Sequence, residues 1–107
     1  MPEYSSEHER ILDQMMQNNP NASRAQMFGY PAYKINGKLG ISLAESGIVI
    51  KVGRDRVAEL TGRDGVSHFE PQPGRVWKDW VLLKGNFEGN REIFDIGVAN
   101  VMKESQK

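Results

Sequence analysis

A β-hairpin is strongly indicated by the Asn36-Gly37 pair, which lies between two apolar segments. Both residues tolerate the positive φ angles of a type I′ turn, so the pair predicts a two-residue loop between antiparallel strands. The segment after the pair alternates, with Leu39, Ile41 and Leu43 on one face and smaller residues on the other. This pattern is typical of a strand with one buried face, so the chain is limited to folds that contain an antiparallel sheet.

Five strands are predicted from the apolar, aromatic and β-branched segments of the chain. Pro31 lies inside the first of them, and because proline has no backbone N–H it favours an edge strand or a bulge. Turns predicted at residues 45–47 and 72–74 separate consecutive strands. The predicted strands cover residues 27–35, 39–44, 48–52, 66–71 and 76–83.

Three helices are predicted to accompany the strands. Ser6 followed three residues later by Glu9 is a capping-box pattern, so the first helix begins there, and the Asn- and Pro-rich residues 18–24 form the turn or loop that ends it. Apolar residues at three-residue spacing predict a short second helix over residues 54–61. Asn90 is the predicted N-cap of the last helix. Two basic residues favour the negative end of that helix, namely Lys103 and Lys107.

Together these elements predict a single domain over residues 1–107 with an α+β fold. We expect two layers, an antiparallel-rich five-stranded sheet with helices, in the order α-β-β-β-α-β-β-α. A chain of 107 residues has no room for a second domain of ordinary size.

Composition restricts the possible functions. The 14 basic residues balance 14 acidic ones, which argues against a general polyanion-binding surface. There is no cysteine, so disulfides, thiolate metal sites and cysteine nucleophiles are excluded. The sequence contains neither a signal-peptide pattern at its N-terminus nor an apolar run of the ~18 residues that a membrane helix needs. We therefore expect a cytoplasmic protein without membrane contact.

Several short motifs resemble the N-terminal domain of the TfoX/Sxy competence regulators. They are Met27-Phe28-Gly29, Asn36-Gly37-Lys38, the segment 47–52 and above all the segment 69–81, which reads FEPQPGRVWKDWV. The resemblance spans residues 6–83, about three quarters of the chain. It implies an α+β two-layer fold, and it brings no catalytic residues with it.

The same resemblance implies a regulatory role. The regulators act in transcriptional control of natural competence with the cyclic-AMP receptor protein, and they carry a further C-terminal domain. This chain departs from the family pattern at Tyr30, where a second glycine is frequent, and at Val76 and Trp77, where proline and methionine are usual. A surface formed by these positions is expected to recognise something different.

The candidate interaction surface is a group of basic and aromatic residues, Arg75, Trp77, Lys78 and Trp80. In a regular strand Trp77 and Trp80 point to opposite faces, so one of them is expected to be exposed while the other fills the core. An exposed tryptophan beside a basic residue suits a protein interface, a stacked base or a cation contact. The alternative is that both tryptophans serve packing alone.

The sequence offers two further candidate sites, an anion site and a metal site. Arg54 and Arg56 lie where a strand is followed by a helix, so they are candidates for an anion contact, with ordinary helix initiation as the alternative. His68 and Glu70 lie two residues apart and face the same side of a strand, but a surface polar pair is the simpler interpretation. No metal site and no cofactor are expected.

We therefore expect a non-catalytic regulatory or interaction domain with a protein partner, which also forms a homodimer through an apolar sheet face. Three alternatives stay open. One is an enzyme with a cleft at His68 and Glu70, and another is a small-ligand domain with an apolar pocket between helix and sheet. The third is a nucleic-acid-associated transcriptional co-regulator. Its predicted basic patch consists of Lys34, Lys38, Lys51, Arg54, Arg56, Arg75 and Lys78.

Overall fold

The computed structural model describes residues 3–105, which form three helices and six strands. Lys107, which was predicted to favour the negative end of the last helix, lies outside the described residues. The elements, in chain order, are α1 (Ser6–Met16), β1 (Ala22–Met27), β2 (Tyr30–Ile35), β3 (Lys38–Ala44), β4 (Gly47–Lys51), α2 (Arg54–Leu60), β5 (Val66–Gln72), β6 (Arg75–Leu83) and α3 (Arg91–Ser105). The strands form one sheet in the order β1-β2-β3-β4-β6-β5, and all neighbours are antiparallel. The predicted α+β class is confirmed.

The prediction of five strands is wrong, because residues 27–35 are not one strand. Phe28 and Gly29 have φ angles of 54° and 83° and form a two-residue turn, across which Met27 pairs with Tyr30. Residues 22–24, which were predicted as loop, belong to the additional strand β1. The order is therefore α-β-β-β-β-α-β-β-α. Sequence patterns missed the turn since phenylalanine is rarely found at positive φ. They missed β1 since only one of its six side chains is buried, so it has no apolar alternation.

The Asn36-Gly37 turn is confirmed, with φ angles of 52° and 86° and a pairing of Ile35 with Lys38 across it. Pro31 lies in β2, which is an interior strand rather than an edge. It is tolerated there because the pairing of β2 with β3 begins only at Ala32.

One face of the sheet is covered by the three helices. Their apolar side chains, such as Leu12 of α1, Leu60 of α2 and Phe94 of α3, pack into a single cluster with the sheet. Alternate residues of the central strand β4, Ile48 and Ile50, contribute to this cluster and are fully buried. Within residues 3–105 no helix is long and apolar enough to cross a membrane.

The opposite face of the sheet carries a second cluster, to which no described helix contributes. Its residues are Met27, Ala32, Val49 and Trp80, with Leu39, Ala44, Phe69, Trp77 and Leu82 packed against them. Val49 lies between Ile48 and Ile50 in β4, so strand alternation places it on the side away from the helices. It is nevertheless fully buried. Side chains of the sheet itself must therefore cover this face.

Polar contacts hold α1 against the first two strands. Asp13 accepts hydrogen bonds from Tyr33 Oη at 2.7 Å and from Arg24 Nη1 at 2.5 Å, and Arg24 Nη2 also reaches Glu9 at 3.1 Å. Burial raises the pKa of the Tyr33 phenol above its usual value, and the bond to Asp13 acts in the same direction. The capping residue of α1 is Ser5 and not Ser6, which the capping-box pattern predicted. Ser5 Oγ accepts a hydrogen bond from the backbone N–H of His8 at 3.2 Å.

Asn90 precedes α3, as predicted for an N-cap, but its side chain acts differently. Its Nδ2 donates to the carbonyl oxygens of Asp64 at 3.3 Å and of Asn86 at 3.1 Å, and the residue is buried. Asn90 therefore ties the start of α3 to the loop before β5. A sequence pattern does not distinguish this role from capping, because both use the same short polar side chain.

Candidate interaction surface

The two tryptophans lie on the same face of the sheet, which corrects the expectation from strand alternation. His68 pairs with Val81, but the next residue of β5, Phe69, pairs with Trp77. Adjacent residues of β5 thus face residues four apart on β6, so β6 carries a large bulge. The bulge turns Trp77 toward Trp80, and the two ring centroids are 5.4 Å apart in an edge-to-face arrangement.

Four aromatic side chains form a continuous group on this face, which we call the aromatic row. Trp77 contacts Phe69, with ring centroids 5.2 Å apart, and Phe28, with centroids 5.7 Å apart. Trp80 completes the row and is only 9% exposed. The rings lie on a face that carries small residues such as Ala32, which is completely buried. The aromatic row therefore supplies the cover that the helices supply on the other face.

Phe28 is the exposed end of the aromatic row. Its side chain is 70% exposed, although it lies against Trp77. Its φ of 54° is a left-handed conformation that bulky side chains rarely adopt, and such strain costs of order 1–2 kcal/mol. In the equivalent turn of the chain this position holds Asn36, which adopts positive φ readily. Phe28 therefore has both a strained backbone conformation and an apolar ring that is largely exposed to solvent.

The predicted interaction residues differ in their accessibility. Arg75 and Lys78 are exposed on β6, and neither makes an ion pair with another described residue. Val76 between them is 44% exposed, and Trp77 is half-buried. Trp80 is buried in the second cluster and packs against Trp77, so it holds Trp77 in place without being accessible itself. Phe28 was not predicted. We call these accessible residues the hairpin-tip surface: Phe28, Arg75, Val76, Trp77 and Lys78.

A cavity of about 360 Å³ opens beside Phe28. We call it the Phe28 cavity. Its walls come from the β1–β2 turn, from the end of β3 with the turn that follows, from β5 and from one residue of β6. The lining residues are Met27, Phe28, Tyr30, Leu43, Ala44, Glu45, Ser46, Phe69, Glu70, Pro71, Gln72 and Leu82. The small-ligand alternative predicted an apolar pocket between helix and sheet, whereas this cavity is lined entirely by strand and turn residues.

A larger groove of about 680 Å³ lies between α2 and α3 and contains the predicted anion residues. Arg54 lies 4.0 Å from Asp79, and Arg56 pairs with Glu59 at 3.2 Å. Five carboxylates and three basic side chains line the groove, which disfavours an anion. Those residues are Asp55, Asp79, Glu92, Asp95 and Glu104 against Arg54, Arg56 and Lys103. The anion contact stays a prediction.

Two other residues of the predicted basic patch are engaged with Glu104. Lys51 Nζ lies 2.7 Å from its carboxylate, and Lys38 Nζ donates to its backbone carbonyl at 3.3 Å. The hydrogen bond from Lys51 holds the pKa of Glu104 below its usual value, supported by the positive charge of Lys51 and by a bond from Asn100. With Arg54 and Arg56, four of the seven predicted patch residues therefore contact carboxylates or a carbonyl.

His68 and Glu70 form no hydrogen bond with each other. Glu70 Oε2 instead accepts from the backbone N–H of Gly74 at 2.6 Å, which stabilises the β5–β6 turn. Among residues 3–105 no group of three or more His, Asp or Glu side chains is arranged to hold a metal ion.

Comparison with known proteins finds no family model, no curated protein and no solved structure that matches this chain.

Proposed function

We propose that this chain is a non-catalytic interaction domain that binds a protein partner through the hairpin-tip surface. The observation that carries the proposal is Phe28, which is both strained and 70% exposed. Residues held in unfavourable conformations cluster at functional sites, and large exposed aromatic residues are frequent anchors of protein interfaces. An asparagine at this position would form the same turn without strain, so folding alone does not account for phenylalanine.

The surroundings of Phe28 fit an interface with a partly apolar centre. Trp77 supports it from one side, and Val76 adds a further exposed apolar side chain. Arg75 and Lys78 flank Val76 and Trp77 along β6, and neither makes an ion pair with another described residue. Aromatic residues and arginine are enriched in interface centres, whereas lysine is more common at the rim.

The resemblance to the TfoX/Sxy N-terminal domain supports an interaction role, because it implies no catalytic chemistry. All three departures from that family pattern belong to this region. Tyr30 lines the Phe28 cavity, while Val76 and Trp77 belong to the hairpin-tip surface. The proposal therefore includes a partner different from that of the competence regulators.

We also propose a homodimer, formed through the apolar sheet face opposite the helices. The aromatic row already covers much of this face within one chain, so only its exposed end is free to contact a second copy. Light scattering at about 100 μM protein tests it. A dimeric mass in the wild type that becomes monomeric with Phe28→Asn would make a second copy the partner of the hairpin-tip surface.

The test is capture of binding proteins from host lysate at low and high salt concentrations, with and without nuclease. Phe28→Asn and the double variant Arg75→Ala with Lys78→Ala are compared with the wild type. The matched control is Arg54→Ala with Arg56→Ala, which removes the same charge from the helix side of the molecule. We expect the wild type to capture a protein partner even after nuclease treatment. Both surface variants should fail to capture this partner, and the control variant should still capture it.

Two results would contradict the proposal. Equal capture by the wild type and Phe28→Asn would remove the hairpin-tip surface from the interface. Recovery of nucleic acid alone, only at low salt, would favour the nucleic-acid alternative, because phosphate contacts weaken steeply as salt concentration rises.

A further inference from the structure

The chemistry of the Phe28 cavity restricts what it can bind. Three aromatic side chains, Phe28, Tyr30 and Phe69, line it together with Met27 and Leu82. Its volume of about 360 Å³ lies at the lower end of the range of ligand cavities, ~300–1,000 Å³. The cavity is therefore large enough for a long side chain, and its walls are suited to an alkyl stem.

The charges at the cavity all have the same sign. Glu45 and Glu70 line it, and no lysine, arginine or histidine does. Neither carboxylate forms an ion pair with any residue between 3 and 105. The bond from the Gly74 N–H to Oε2 of Glu70 fixes one of the two carboxylates in place. Negative charge beside aromatic rings favours a cation, because the face of an aromatic ring also carries partial negative charge.

We propose that the Phe28 cavity binds a lysine or arginine side chain of the protein partner. The alkyl stem packs against the apolar wall, and the charged head lies near Glu45 and Glu70, since long basic side chains bury their stems and leave the head at a polar site. An acidic side chain is repelled by both carboxylates, and a neutral apolar one gains nothing from them. This inference rests on the proposed function, since it assigns the chemistry of the partner at that surface.

The experiment titrates the full chain with capped amino acids and follows its backbone amide resonances by NMR. The probes are the N-acetyl methylamides of lysine, arginine, norleucine and glutamate, together with choline. Norleucine has the lysine stem without the ammonium group, so the difference between these two probes measures the contribution of the charge. We expect lysine and arginine to shift the amide resonances of residues 44–46, 69, 70 and 72, with affinity at least threefold above norleucine. Glutamate should shift none of them.

Variants of the two carboxylates test the assignment. Glu45→Gln and Glu70→Gln each remove one charge, and glutamine at position 70 keeps an oxygen that accepts from Gly74. Each variant should weaken lysine binding by about 1.5- to 5-fold, the range of partly exposed ion pairs, without changing norleucine binding. The matched control Asp95→Asn removes one negative charge from the groove on the helix side and should change neither.

Three outcomes would overturn the inference: equal binding of lysine and norleucine, resonance shifts outside the cavity, or lysine binding that is insensitive to both carboxylate variants. Choline binding more tightly than lysine would assign the cavity to a free quaternary ammonium compound instead of a partner side chain. The proposed function is tested separately. If lysine fails to bind but Phe28→Asn still abolishes partner capture, only the cation assignment is lost.

Discussion

Replacement of Gly97 by alanine should destabilise the protein, although alanine is the better helix former. Gly97 lies in the middle of α3 and is buried against β4. A Cβ atom added there would lie 2.3 Å from Cγ2 of Ile50. Ile50 is fully buried and β-branched, so its methyl group has little freedom to move away. Either α3 or β4 must shift.

The magnitude follows from two opposing effects. Replacing glycine inside a helix favours folding by about 0.5–1 kcal/mol, whereas overpacking a core costs about 1–3 kcal/mol. Taken at the middle of both ranges, the expected net loss is about 1 kcal/mol. For a domain of this size that corresponds to a decrease in Tm of roughly 4–8 °C.

Urea unfolding followed by circular dichroism measures this loss. The matched control is Gly62→Ala, because no atom lies within 4 Å of the added Cβ and Gly62 lies outside the left-handed region. This control should gain about 0.4–1 kcal/mol through the unfolded chain. Stabilisation of Gly97→Ala by the same amount would refute the close approach of α3 to β4.

Three further predictions concern the aromatic row and the end of α3. Phe28→Asn should change the free energy of unfolding by less than about 1 kcal/mol, because relief of the left-handed strain offsets loss of the contact with Trp77. Urea unfolding measures this change. A loss above about 2 kcal/mol would show that the phenylalanine stabilises the fold. Trp80→Ala should cost about 3–5 kcal/mol while Val76→Ala costs less than about 0.5 kcal/mol, and equal effects would contradict the burial of Trp80. The pKa of Glu104 is lower in the folded state than in the unfolded chain, so its contribution is present above pH ~4.5 and is lost as the pH falls through the folded pKa. Lys51→Met should therefore destabilise the protein at pH 7 and have a much smaller effect near pH 3; an equal loss at both values, measured by thermal unfolding, would count against the ion pair.

The candidate site was predictable only in part. Arg75, Trp77 and Lys78 were identified because basic and aromatic residues are adjacent in the sequence, and all three lie at the accessible surface or at its edge. The sequence did not predict that Phe28, the most exposed aromatic residue of the hairpin-tip surface, belongs to this site. The available signal was a Phe-Gly pair between two segments able to form strands, but phenylalanine is not a turn residue by propensity.

Some elements of the fold are determined by signals within a few consecutive residues. The Asn36-Gly37 turn follows from the positive φ that Asn-Gly tolerates, and the start of the first helix follows, to within one residue, from a serine cap. Both are present in the structure. The α+β class follows from the succession of such elements. These features were readable from the sequence because neighbouring residues are sufficient to produce them.

Contacts between distant residues decided the remainder. The bulge in β6 places Trp77 beside Trp80 and in contact with Phe28, which lies 49 positions earlier in the chain. The strained turn at Phe28 is held by the pairing of β1 with β2 and by this aromatic contact. Strand alternation describes a regular strand, so it predicts the wrong face wherever tertiary packing stabilises a bulge. The elements were therefore set by local sequence, whereas the aromatic row and the cavity beside it were set by long-range packing.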